Sequence, residues 1–181
     1  MNFFLSEAFR FLLKIKWGQR ILSSLRYPDF FKQRAPYAKM QMIDLVIKRL
    51  SLTRFAMLHS INSLHNHLMI MLQGLSIQLD AKVAKAQNIS ELIFYHEAFV
   101  LAFHENSFLG PESANFYGLI IESLKLAKVL KDEWNNVNAF ATLDESGNAD
   151  TLSLNDLNTN TIEIEKAFGA CEYQFKVLLD V

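Results

Sequence analysis

The side chains best able to do chemistry in this 181-residue chain are five histidines and one cysteine. His65 and His67, separated by Asn66, look like a pair of metal ligands. On a helix, however, residues two apart point about 200° apart, so they cannot face one ion. His59 lies six before His65 and is off that face too. His96 and His104 are eight apart and roughly aligned, with Glu105 following, but no acid or histidine completes a three-ligand set there. His96 reads instead as a core histidine inside an apolar stripe. Cys171 falls on the apolar stripe of the last helix, where a free thiol behaves as a small hydrophobe. Gly-x-Ser-x-Gly and glycine-rich phosphate loops are absent. The expectation is a protein that is not an enzyme, with no catalytic residues, no metal and no cofactor.

The remaining chemistry is electrostatic. Net charge is −1, but residues 1–60 carry 11 Lys/Arg against 3 Asp/Glu, whereas residues 61–181 carry 7 against 16. The two parts are therefore +8 and −9, which sum to −1. Such a dipolar chain predicts a basic end facing an acidic partner. The alternative is a solvated basic face answered by the chain's own acidic half. The candidate partner-binding residues are Arg10, Lys14, Lys16, Arg20 and Arg54. Arg10 and Lys14 are helical neighbours four apart, as are Lys16 and Arg20. Lys48 and Arg49 add to the basic third. A helical module binding nucleic acid or anionic lipid through this face is the competing reading. The isoelectric point near 6.5 argues against a dedicated nucleic-acid domain.

Composition bounds the elements that position these residues. The chain is 51% hydrophobic and 20% charged, which is globular rather than disordered. Six Gly and three Pro are too few for a many-turned β-sandwich or barrel. A single Cys excludes an intrachain disulfide framework and points to a reducing compartment. The most apolar stretch, Leu68 to Leu75, is interrupted by Gln73 and Gly74 and is too short to span a membrane.

The legible pattern is helical throughout. Phe4, Ala8, Phe11, Ile15, Gly18, Leu22 and Leu25 step by 4 and 3, forming one stripe. Tyr27-Pro28-Asp29 ends that helix, and Pro36 suits a first helical position. Ile43, Val46, Leu50, Thr53, Met57, Ile61, Leu64, Leu68, Met71 and Leu75 predict a very long second helix reaching about Lys85. Asn88 with Glu91 three residues on reads as a capping box. The third helix then places Leu92, His96, Phe99 and Phe103 on one side. Leu109-Gly-Pro111 breaks it, and a fourth helix runs from about Pro111 to Phe140. Ile164, Phe168, Cys171, Phe175 and Leu178 mark a fifth helix beginning near Thr161. Between them, residues 142–160 hold four Asn, four acids and no basic residue, and are expected to form a flexible acidic loop.

The expected fold is all-α: a bundle of about five helices including one very long helix, part of a larger helical domain. Its expected core includes Phe11, Ile15, Met57, Ile61, Asn62, Leu64, His96, Phe99, Phe168 and Phe175. Both ends of the chain look cut from something longer.

Four segments resemble one family. Phe9-Arg-Phe-Leu-Leu-Lys-Ile-Lys-Trp17 is similar to the F-R-F/Y-L-L-x-(I/L)-K segment of gamma-tubulin complex components, in their C-terminal Grip-motif domain. The stretch from Leu52 to Met69, containing Ile-Asn-Ser-Leu, looks like that family's long helix. Ile89 to Phe99 resembles a segment in which His96 is the match, and Ala167 to Leu179 falls where the family has a late helix. The Leu-Lys-Ile-Lys-Trp and Asn-Ser-Leu-His-Asn pieces look most like the fifth component.

This resemblance implies that residues 1–181 are a partial C-terminal domain of that family. It also implies a non-enzymatic scaffold that helps bind gamma-tubulin for microtubule nucleation at microtubule-organising centres. The implied partners are gamma-tubulin and other complex components, with no nucleic acid and no membrane span. The implied location is the cytoplasmic cytoskeleton, at the centrosome or spindle pole. The matching segment begins partway through the family's C-terminal domain, so helices outside it are expected to complete the interface.

Overall fold

The computed structural model describes the backbone of residues 2–26, 37–143 and 154–179, and the side chains of residues 4–26, 41–140 and 154–178. Five α-helices cover most of these residues, and no strand occurs among them. Helix α1 is Asn2–Ser24, α2 is Tyr37–Val83, α3 is Ile89–His104, α4 is Ala114–Leu143 and α5 is Leu154–Leu179. A π-helical turn at Glu105–Leu109 and a short 3-10 turn at Pro111–Ser113 join α3 to α4. The expected terminations at Tyr27–Asp29 and the expected start at Pro36 lie outside the described residues.

The 47 residues of α2 make a rod about 70 Å long at 1.5 Å rise per residue. No Pro interrupts it, and its apolar stripe packs against α1, α3, α4 and α5 in turn. Val46, Leu50, Thr53, Met57, Ile61 and Leu68 are buried along that stripe. All of these but Thr53 join Phe11, Ile15 and Leu22 of α1, Ile120, Leu124, Ala127 and Leu130 of α4, and Leu157, Ile164 and Phe168 of α5 in one continuous core. The core ends at Leu68: none of residues 69–99 is buried. The last third of α2 and the first half of α3 therefore form a two-helix hairpin reaching past the bundle.

The start of α3 is set locally. Asn88 Oδ1 accepts from the Glu91 backbone N–H at 2.9 Å, and the Glu91 carboxylate accepts from the Gln87 backbone N–H at 2.9 Å. Two orphan donors at the helix entrance are thus satisfied. The far end of α3 is irregular. Within the π-helical turn Phe108 has φ 60, the positive-φ non-glycine residue among those described. Ser107 Oγ donates to the Phe103 carbonyl and Asn106 Nδ2 to the Ala102 carbonyl, so side chains of the distorted turn bond back to the last turn of α3.

Three sequence expectations are corrected here. Helix α4 continues to Leu143 and α5 begins at Leu154, so the supposed loop at 142–160 is helical at both ends; residues 144–153 lie outside the description. Leu157 and Thr161 extend the buried stripe of Ile164, Phe168 and Cys171 about two turns earlier. The Asn-rich composition hid this because its polar groups are used: Thr161 Oγ1 donates to the Leu157 carbonyl and Asn160 Nδ2 to Glu133.

His96 is exposed rather than core. The first half of α3 lies on the hairpin beyond the bundle, where only one side can be covered. Asn62 is also exposed; it sits on the rim of the α1–α2 contact, where its Oδ1 accepts from Gln19 Nε2 at 2.8 Å. Of the other expected core residues, Phe11, Ile15, Met57, Ile61 and Phe168 are buried, and Leu64, Phe99 and Phe175 are half-buried.

Candidate interaction surfaces

Helix α1 has two faces of opposite character. Ala8, Phe11, Ile15, Gly18 and Leu22 point into the core. On the other side Leu5, Phe9, Leu13 and Trp17 stand four residues apart and are 46%, 61%, 51% and 46% exposed. Residues at this spacing form a single ridge along a helix. The sequence reading followed the inward stripe and missed this one. The signal was present as a second 4-residue period in the same segment, but periodicity alone marks only the stronger face.

The expected partner-binding cations fall on both flanks of the ridge. At about 100° per residue, Lys16 and Arg20 lie on one side of it and Arg10 and Lys14 on the other. Arg10, Lys16 and Arg20 are exposed, and among the described residues they have no hydrogen bond or ion pair. Lys14 is also exposed, but its Nζ donates to the Tyr117 hydroxyl at 3.2 Å and lies 5.7 Å from that ring's centre.

Arg54 is half-buried and serves the fold. Its Nε donates to the Leu22 carbonyl at 2.6 Å, and its guanidinium lies over the rings of Phe55 and Trp134. The structure therefore does not bring the five expected cations onto one surface. Three remain available, one leans on α4, and one closes a helix end. The acid of α1, Glu7, is turned toward α3, where its carboxylate meets His104 Nε2 at 3.2 Å. Phe4 packs edge-on against the same imidazole.

A second concave feature opens between α2, α4 and α5. This cleft has a volume of about 430 Å³ and is walled chiefly by Met57, Leu64, Phe108, Phe116, Phe168 and Phe175. Ser60 donates to Glu172 at 3.3 Å at its edge. Cys171 lies buried nearby, and burial pushes its thiol above the ordinary value near 9.0; the Glu122 charge adds to this, and the Ser123 hydroxyl opposes it. A thiol held protonated in this way is a poor nucleophile. Among the described residues no group of three or more His, Cys, Asp or Glu side chains is placed to hold a metal ion. Nor is any described helix long and apolar enough to cross a membrane.

Comparison with known proteins agrees with the segment resemblances. The family described as gamma tubulin complex component C-terminal matches residues 6–180. A gamma-tubulin complex component 5 from Macaca fascicularis is 25% identical over 147 residues, covering 71% of this chain and 20% of that protein. The mouse (Mus musculus) protein of the same name is 23% identical over 147 residues, covering 71% of this chain and 14% of its own length. The chain thus spans a fifth or less of the curated relatives it matches. No solved structure matches it.

Proposed function

This chain belongs to the gamma-tubulin complex component C-terminal family, and from that premise we propose that it is a non-enzymatic scaffold subunit of a gamma-tubulin complex. It helps bind gamma-tubulin for microtubule nucleation at microtubule-organising centres, within the cytoplasmic cytoskeleton at the centrosome or spindle pole. The observation that carries the reading is the family match over residues 6–180. The all-helical rod supports it, because a long α2 packed by four other helices is a rigid spacer.

The mechanism is positional. Several gamma-tubulins held side by side by subunits of one complex replace a slow multi-body encounter with templated addition. The partners are gamma-tubulin and other complex components. Arg10, Lys16 and Arg20 are the cations positioned to meet them, since Lys14 and Arg54 are engaged within the fold.

The experiment is capture of purified gamma-tubulin by the immobilised chain across a salt series. Retention at moderate salt supports the scaffold reading. Loss of all capture at physiological salt, with RNA or anionic lipid retained instead, would replace it with the competing basic-module reading.

A further inference from the structure

We propose that the outward face of α1 is the docking surface for an acidic amphipathic helix of another protein chain. The proposal rests on the scaffold reading only in taking this basic face as an interface. It adds the kind of element that sits there and the residues that hold it.

Four observations converge on this occupant. Leu5, Phe9, Leu13 and Trp17 expose about half of each side chain in one unbroken row. An apolar row this long beside charges marks an interaction site rather than scattered surface hydrophobes. Its geometry selects a helix. Successive members turn about 40° around α1, so Leu5 and Trp17 point roughly 120° apart. A helix crossing at an angle follows such a winding ridge with its groove.

The charges select an acidic one. Arg10 lies on one flank of the ridge and Lys16 and Arg20 on the other, all exposed. Glu7, the acid of α1, is turned away onto His104. An apolar seam bordered by cations on both sides complements an apolar seam bordered by carboxylates, the arrangement by which paired helices choose partners. A nucleic-acid backbone would satisfy the cations and leave the four apolar side chains wet.

The chain carries its own reporter. Trp17 is exposed while Trp134 is buried, so a blue shift of tryptophan emission on binding reports the ridge. The probe is a helical peptide of about 20 residues with leucine at its seam positions and glutamate beside them, a length that spans the ridge at 1.5 Å per residue. The full chain should bind it saturably, with a blue shift. Phe9→Ser together with Leu13→Ser should weaken binding by roughly tenfold or more, since few residues carry most of an interface's energy. Lys16→Glu with Arg20→Glu should weaken it and flatten its salt dependence.

Both sets of substitutions are on exposed positions, and unchanged circular dichroism melting confirms that the fold survives. Three results would each overturn the proposal: no saturable binding of the peptide, equal binding of the same peptide with lysine in place of glutamate, or binding unaffected by the ridge substitutions. Preferential binding to phosphatidylserine vesicles, lost with Phe9→Ser, would assign the face to a membrane instead. Gamma-tubulin capture by the same variants separates the two readings. Capture that persists when the peptide fails sinks this inference alone; peptide binding without capture sinks the scaffold reading alone.

Discussion

Arg54 reaches from α2 to the end of α1, where its Nε donates to the main-chain carbonyl of Leu22 at 2.6 Å. The last carbonyls of a helix have no partner within it, and a cation there also faces the negative end of the helix dipole. Trp134 completes the closure from α4, its indole N–H donating to the Arg26 carbonyl at 3.0 Å. The guanidinium lies over the same indole ring at 6.0 Å. Three helices are therefore tied together at one point by two long side chains.

Arg54→Ala should accordingly act on stability rather than on partner capture. A hydrogen bond from a charged donor contributes about 1.5–3 kcal/mol, and partial exposure places the expected loss near the lower end. Arg54→Lys should recover little, because an ammonium lacks the planar fork that both bonds and stacks. Chemical denaturation measures the loss, and gamma-tubulin capture at matched folded concentration should be unchanged. A capture defect without destabilisation would return Arg54 to the interface.

Gly18 faces side chains of both α2 and α4 at close range. A Cβ there would overlap Leu124 Cδ2 and stand 3.4 Å from Ile61 Cδ1. Alanine would gain up to about 1 kcal/mol in helix propensity, against an overpacking cost of about 1–3 kcal/mol. Leu124 borders the α2–α4–α5 cleft, so its methyl group has space to turn into. Gly18→Ala should therefore be close to neutral, within about 1 kcal/mol, whereas Gly18→Val should lose more than about 2 kcal/mol. Equal losses in the two variants would show that Leu124 cannot move.

The capping pair at the root of α3 should matter more than its exposure implies. Asn88→Ala removes an acceptor for the Glu91 N–H and is expected to cost about 1 kcal/mol. None of residues 69–99 is buried, so little packing holds the hairpin once its cap is gone. The cost should appear as faster amide exchange across α3's first turns, with the exchange of core residues such as Leu50 and Leu130 unchanged. A uniform acceleration over the whole chain would mean that the hairpin and bundle unfold as one unit.

Cys171 should resist alkylation in the folded chain at neutral pH and react fully on denaturation. Its thiol is raised by burial and by Glu122. With the folded value above the unfolded one, the native state keeps a proton that the unfolded state releases in alkaline solution. The stability contribution is whole below the ordinary value near 9.0 and declines as pH rises past it. Cys171→Ala should remove this alkaline component, compared by denaturant unfolding at neutral and alkaline pH. An alkaline decline identical in the variant would assign it to other groups.

His96 shows where sequence periodicity misleads. It occupies an apolar-spaced position of α3 yet is exposed, so His96→Phe should shift stability by no more than about 0.5 kcal/mol, as ordinary surface substitutions do. The stripe Leu92, His96, Phe99 and Phe103 is a real local pattern. It describes a helix that enters the core only at its second half, with Phe103 buried and Leu92 exposed.

The sequence alone determined the five helices, the length of α2, the Asn88 cap and the break before Pro111, because each depends on contacts within a few residues. Helical period, cap chemistry and proline sterics are local, and they also carried the family resemblance. The start of α5 escaped detection because Asn-rich composition resembles a loop until Leu157 and Thr161 are seen facing the core. Tertiary structure alone decided which cations are free. Lys14 and Arg54 look identical to Arg10 and Arg20 in the sequence, and only the arrival of Tyr117, Trp134 and the Leu22 carbonyl from distant positions engages them. The same holds for the Leu5–Trp17 ridge. Periodicity shows that a helix has an apolar side, but whether a second apolar side is covered depends on which neighbours pack against it, and that is a property of the assembled bundle.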